Sequence, residues 1–231
     1  MINVEGLYKS FGAQEVLHDV RLVIPDGQIL GILGESGSGK SVLLRNMIGI
    51  DKPERGTIRI NGRDIVPLPE RDLLPIRRDI GYLFQDGALY DFMTVFENVA
   101  FPLTEHTRLG RQAVRDKVVG ILRLVGLGEA MGKLPSELSG GMRKRAALAR
   151  AVILDSKIIF CDEPTSGLDP IKSREITDLI RELSRQLSCT TVLTSHDVGN
   201  TFRIADQVVM LRQGRIIAQG TPEELRAAAD P

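Results

Sequence analysis

Gly34-Glu35-Ser36-Gly37-Ser38-Gly39-Lys40-Ser41 is the stretch that decides the fold. It fits G-x-x-x-x-G-K-S/T, and both flanks that this pattern demands are present. Gln28-Ile29-Leu30-Gly31-Ile32-Leu33 before it is a nearly continuous apolar run, as a strand covered on both faces must be. Behind it, Val42, Leu43, Leu44, Met47 and Ile48 recur at helical spacing. Strand, glycine loop and helix in that order make a phosphate-binding loop. Its glycines let the backbone curl until its N–H groups converge on phosphate oxygens at a helix N-terminus. Gly34, Glu35, Ser36, Gly37, Ser38, Gly39, Lys40, Ser41 and Val42 are the expected nucleotide contacts, with Lys40 a point charge and the Ser41 hydroxyl a Mg²⁺ ligand.

Two further apolar runs repeat the strand pattern. Ile158-Ile159-Phe160-Cys161 closes on Asp162-Glu163, and Thr190 to Thr194 closes on Ser195-His196-Asp197. Helical patterns separate these runs, so the strands are expected to be parallel, with their C-terminal ends on the edge where open α/β sheets bind ligands. Glu15 to Ile24 alternates instead, placing Val16, Val20, Leu22 and Ile24 on one side, which marks a strand with one wet face. Asn61-Gly62 inside Thr57–Ile65 signals a hairpin, and Gln213-Gly214 between Val208–Leu211 and Arg215–Ala218 signals a second. Between about Gln85 and Leu138 the strand signal fades, and Val114, Val118, Ile121, Leu122 and Val125 share one helix face. Thr221-Pro222-Glu223-Glu224 reads as a helix start with a capping box. The expectation is one α/β domain over residues 1–231: a core with a mixed sheet and an antiparallel β part in 1–85 and 151–231, and a helical insert over about 86–150.

Composition limits the partners. The 231 residues are 42% hydrophobic, enough for a sizeable core. Lys and Arg number 30 and Asp and Glu number 30, so no global charge calls for nucleic acid or an anionic membrane, and no nucleic-acid partner is expected. Cys161 and Cys189 are too few for a disulfide framework, which suits a reducing cytosol. The chain opens without a charged and apolar leader, and no apolar run approaches the roughly 20 residues needed to span a bilayer. A protein neither secreted nor integral to a membrane is expected, with no room after the last helix for a regulatory domain.

The strand ends carry the remaining chemistry. Asp162 is suited to hold Mg²⁺ through its water shell, and Glu163 to orient and deprotonate an attacking water. Adjacent carboxylates at a strand end are often mere caps; on the same edge as a phosphate loop they supply the metal ligand and the base that phosphoryl transfer needs. His196 on that edge is placed to donate a hydrogen bond to a γ-phosphate, whereas His18 and His106 read as structural. Gln85, after Gly81-Tyr82-Leu83-Phe84, is a neutral group able to ligate the metal or the water and to report γ-phosphate to the helical insert.

At Leu138-Ser139-Gly140-Gly141-Met142 the sequence resembles the ATP-binding cassette ATPases, whose signature is Leu-Ser-Gly-Gly. The family's other features follow in order along essentially the whole chain: the phosphate loop, Gln85, the signature, Asp162-Glu163-Pro164, Ser166-Gly167-Leu168-Asp169 as a dimer-contacting loop, and His196. Phe11 stands where the family stacks an aromatic on adenine. Met142 departs from the Gln that many relatives carry, leaving Ser139, Gly140 and Gly141 free for anion contacts. Asp86 to Val99, with Gly-Gly-Met-Arg-Lys-Arg-Ala from Gly140, looks like the Mla-type ATPases of MCE-associated phospholipid transport.

The resemblance implies ATP and Mg²⁺ as ligands and a head-to-tail pair of copies. Each ATP would lie between one phosphate loop and the other copy's Ser139, Gly140, Gly141 and Asp169 region. It also implies an integral permease, an MCE-type lipid-binding subunit, and a peripheral place on the cytoplasmic face of the inner membrane. Three rivals stand beside the lipid reading. One is an amino-acid or metal importer. Another is a non-transport cassette protein of repair or translation, which would carry coiled-coil inserts or tandem cassettes that this sequence lacks. The third is a scaffold that binds nucleotide without turnover.

Overall fold

The computed structural model describes residues 1–229. Among these residues ten strands form two sheets. The antiparallel sheet contains β1 (Ile2–Phe11), β2 (Gln14–Ile24), β4 (Arg55–Ile60) and β5 (Arg63–Asp64), in the order β2-β1-β4-β5. The other sheet holds β3 (Ile29–Leu33), β6 (Ile80–Leu83), β7 (Ile158–Asp162), β8 (Thr190–Ser195), β9 (Gln207–Arg212) and β10 (Arg215–Gly220), in the order β10-β9-β3-β8-β7-β6. All its neighbours pair parallel except the β9–β10 hairpin. The mixed α/β fold and both hairpins of the sequence reading are observed. Asn61 and Gly62, and Gln213 and Gly214, all have positive φ, the backbone that a two-residue primed turn requires.

Residues of β7 alternate between two cores. Ile158 and Phe160 face a core shared with the antiparallel sheet and α1 (Lys40–Met47); Ile159 and Cys161 face a second core with the helices. This two-sided burial is why the central strands read as unbroken apolar runs. Gly31 gives α7 (Val198–Ile204) its closeness to the sheet, since a Cβ there would stand 2.2 Å from Thr201 Cγ2.

Between β6 and β7 the chain is helical. It forms α3 (Val95–His106), α4 (Arg111–Leu124) and α5 (Gly140–Val152), with short 3-10 turns at Gly128–Ala130 and Pro135–Glu137. The expected face of α4 is buried at Val114, Val118, Leu122 and Val125. α3 starts on a capping box in which the Thr94 side chain takes the Glu97 N–H and Glu97 takes the Thr94 N–H. α6 (Pro170–Gln186) is capped by Asp169. α8 (Pro222–Ala229) opens on the Thr221 and Glu224 exchange that the sequence suggested.

The sequence reading did not anticipate strand β6, helix α7 or one further helix. α2 (Glu70–Arg78) contains Pro75, whose ring normally breaks a helix; Glu70 and Asp72 in its first turn and Arg77 and Arg78 in its last complement the helix dipole. Among the described residues no helix is long and apolar enough to cross a membrane.

Candidate functional site

The carboxyl ends of β3, β7 and β8 meet at one cleft. It measures about 650 Å³ and is lined by Val16, Glu35, Ser36, Gly37, Gly39, Lys40, Ser41, Val42, Gln85, Glu163, Ser166 and His196. Gly37 (φ 79°) and Gly39 (φ 104°) bend the loop that leaves β3. The turn at Gly39 is tight, for a Cβ there would lie 2.9 Å from Leu17 Cδ2 and 3.1 Å from the Val16 carbonyl. Such a bend aims the first N–H groups of α1 into the cleft, and no acidic residue in the first turn opposes an anion there. Ser38 Oγ is buried and, among the described residues, has no hydrogen-bond partner.

Lys40 Nζ donates to the carbonyls of Gly34 (2.7 Å) and Glu35 (3.0 Å) and lies 3.2 Å from Glu163 Oε1. The other carboxylate oxygen of Glu163 is 3.0 Å from His196 Nδ1. A carboxylate held from both oxygens in this way is fixed in direction. Glu163 also adopts φ 45°, left-handed for a residue with a side chain, at a cost of ~1–3 kcal/mol. Strain of that kind persists only where neighbours enforce it, and here the Glu163 N–H is held by Thr194 Oγ1 at 3.0 Å.

Ser41 Oγ donates to Asp162 Oδ1 at 2.8 Å, so hydroxyl and carboxylate oxygens converge as a hard cation such as Mg²⁺ requires. Thr194 Oγ1 donates to the same oxygen at 2.8 Å. The Tyr82 hydroxyl lies 3.4 Å from Asp162 Oδ2. Its own ionisation is pushed far up, first by burial and then by the Asp162 charge, so it stays a neutral donor. Among the described residues no group of three or more His, Cys, Asp or Glu could cage a metal alone. Phosphate oxygens and water would have to complete the shell around Ser41 and Asp162, which is how Mg²⁺ is usually held in nucleotide sites. The donors therefore fit a Mg²⁺–nucleotide pair.

Not every expected contact is in the cleft. Gly34 and Ser38 line the back of the loop, beside Met210 and Ile217. Phe11, 46% exposed at the end of β1, is outside the cleft lining and has Lys9 Nζ 4.9 Å from its ring centroid. Ser139 caps α5 by accepting the Met142 N–H at 3.3 Å, and neither it nor Gly140, Gly141 or Asp169 lines the cleft. Asp169 accepts the Lys172 N–H at 3.0 Å; this hydrogen bond and the Lys172 ammonium hold its carboxyl below the usual range. Gln85 Nε2 reaches Ser166 Oγ at 3.4 Å, and the Gln85 carbonyl accepts from Lys144 Nζ.

Thr194, Tyr82 and Lys144 are site residues that sequence reasoning missed. For Thr194 the usable signal was register, because β7 and β8 pair Asp162 with Thr194.

The geometry agrees with known proteins. A family model described as ABC transporter matches residues 17–166. The "Probable ribonucleotide transport ATP-binding protein mkl" of Mycobacterium leprae (strain TN) is 45% identical over 230 residues, covering 100% of this chain and 66% of that protein. The chain thus spans just under two thirds of that relative's length. The "Intermembrane phospholipid transport system ATP-binding protein MlaF" of Haemophilus influenzae is 42% identical over 230 residues, covering 100% of this chain and 87% of that protein. Among solved structures, a dimeric post-hydrolysis state of the ATP-binding cassette MJ0796 bound to ADP and Pi superposes with a TM-score of 0.88 at 30% identity, covering 96% of this chain and 99% of that one.

Proposed function

The chain belongs to the ABC transporter family of ATP-binding proteins, and from that premise we propose that it hydrolyses ATP as one of a head-to-tail pair that drives a membrane permease. The convergence of Lys40, Ser41, Asp162, Glu163, His196 and Gln85 on a single cleft carries this reading. The loop N–H groups and Lys40 bind and orient the phosphates. Ser41, Asp162 and Gln85 would hold Mg²⁺, which when bound neutralises charge across the β- and γ-phosphates. Glu163, steered by Lys40 and His196, takes the proton from an in-line water, and His196 then stands beside the γ-phosphate. No covalent intermediate is needed.

Ser139, Gly140 and Gly141 lie outside their own chain's cleft, and the dimeric MJ0796 structure supports assigning them to the partner's ATP. Asp169 belongs to the same contact, and Phe11 is assigned to the adenine ring. The permease, and with it a peripheral place at the cytoplasmic face of the inner membrane, follow from the family. Phospholipid is the proposed cargo, and an MCE-type subunit the proposed further partner, supported by the 42% identity to MlaF across the whole chain and by the resemblance of Asp86 to Val99 to the Mla-type ATPases. Ribonucleotide is the second reading, favoured by the likeness to mkl.

Phosphate release from ATP tests the enzyme. It is expected to need Mg²⁺ and, in Glu163→Gln, to fall about 10²–10⁴-fold while ATP still binds. Near-normal release by that variant would remove Glu163 as the base. Isolating the chain from membranes with its permease tests the cargo: phospholipid moved by the reconstituted complex supports the first reading, and nucleotide moved in its place supports the second.

A further inference from the structure

The segment that follows β6 is fastened to α5 at three successive points. Lys144 Nζ donates to the Gln85 carbonyl. One turn on, Ala147 packs so closely that a Cβ on Gly87 would stand 3.3 Å from its own Cβ. One further turn on, Arg150 donates from Nη2 to the Gly87 carbonyl and from Nη1 to the Ala88 carbonyl, both at 2.7 Å. Lys144, Ala147 and Arg150 are spaced by three residues and so share one helix face. The loop is shaped to that face, with Gly87 at φ 79° and Ala88 at φ 47°.

Lys144 is the unusual member. It is only 6% exposed, and among the described residues it forms no ion pair within 4.0 Å. Burying an ammonium against a backbone carbonyl is expensive compared with burying an apolar side chain of the same length. Burial lowers its pKa, opposed by the charges of Asp86, Glu163 and Asp162, which places the ammonium within electrostatic reach of both site carboxylates. Packing alone does not call for a lysine here; a fixed position for Gln85 does.

We propose that Lys144 is a positioning residue that sets Gln85 against the Ser41–Asp162 pair and, with Arg150, makes the Gln85–Ala88 loop one rigid piece with α5. Ser139, at the start of that helix, is thereby carried with Gln85. The inference rests on the ATPase reading above.

The test follows Mg²⁺-dependent phosphate release by the full chain for wild type, Lys144→Met and Lys144→Arg, beside ATP binding in EDTA. Lys144→Met is expected to raise the Mg²⁺ concentration for half-maximal release about tenfold, as loss of a charged hydrogen bond implies, with metal-free ATP binding unchanged. Lys144→Arg, which keeps a cationic donor, recovers most of the shift. A merely structural lysine would change the melting temperature and leave the Mg²⁺ dependence alone. Half-saturation in Lys144→Met equal to wild type overturns the proposal, as does an equal shift in both variants. Should Lys144→Met fail to fold, Lys144→Gln is read by the same criteria. A wild-type chain that releases no phosphate refutes the ATPase reading itself, an outcome distinct from active variants with unshifted Mg²⁺ dependence.

Discussion

The N-termini of α1 and α5 are built from the same residue types and sit in opposite surroundings. α1 follows Ser38-Gly39, α5 follows Ser139 and opens on Gly140-Gly141, and neither has an acidic residue in its first turn. The start of α1 has no side-chain cap and opens into the cleft, facing Asp162 and Glu163 across Lys40 and Ser41. The start of α5 is capped by Ser139 and lies outside that cleft, close enough to the next loop that a Cβ on Gly140 would stand 3.3 Å from Leu168 Cδ2. Both helix ends are able to favour an anion, and only one of them shares space with Asp162 and Glu163. Similar local chemistry acquires different uses from where the sheet places it.

The comparison breaks most easily at its charged centre. Lys40→Ala is expected to lower turnover about 10²–10³-fold and to weaken ATP binding, read by phosphate release and nucleotide titration. Ser139→Glu places an anion at the start of α5 and is expected to abolish turnover while each chain still binds ATP at its own loop. Mixing the two inactive variants sharpens the contrast. If Ser139 serves the partner, a mixed pair keeps one site with both an intact loop and an intact signature, and turnover returns. If Ser139 serves its own chain, the mixture stays silent. Thr194→Val deletes the hydroxyl that joins Asp162 to the Glu163 backbone; a stability loss of ~1–3 kcal/mol and about tenfold slower release are expected, by melting and kinetics. Phe11→Ala is the smallest test: an affinity loss of about 0.5–1.5 kcal/mol marks stacking on adenine, and unchanged affinity removes that role.

Legibility in the sequence tracked locality. The α1 cradle was readable because strand, glycines, lysine and helix are consecutive, and the two hairpins because their turn residues are. Asp162, Glu163 and His196 were readable as polar endings of apolar runs. Thr194 was hidden inside such a run, since threonine also suits a strand on propensity alone, and its role appears only when β8 lies beside β7. Lys144 carried no signal of its own, because burial of its face depends on a loop some 60 residues earlier. α2 was masked by Pro75, whose local cost is outweighed by Leu73 packing into the core and by charges matched to both helix ends. Phe11 was placed by motif order alone, and its ring is exposed at the end of β1, outside the cleft lining.

The pairing of β3 also sets a schedule for synthesis. The strand that launches the phosphate loop rests between β8 and β9, and β9 lies about 175 residues further along the chain. At ~5–20 residues per second the ribosome needs on the order of 10–35 s to deliver that neighbour. Until β8 emerges, some 160 residues after β3, Ile29–Leu33 has neither flank covered, and until β9 follows it has only one. A nascent chain halted before Gln207 would therefore leave one edge of Ile29–Leu33 unpaired, an open apolar strand of the kind that invites pairing with another chain.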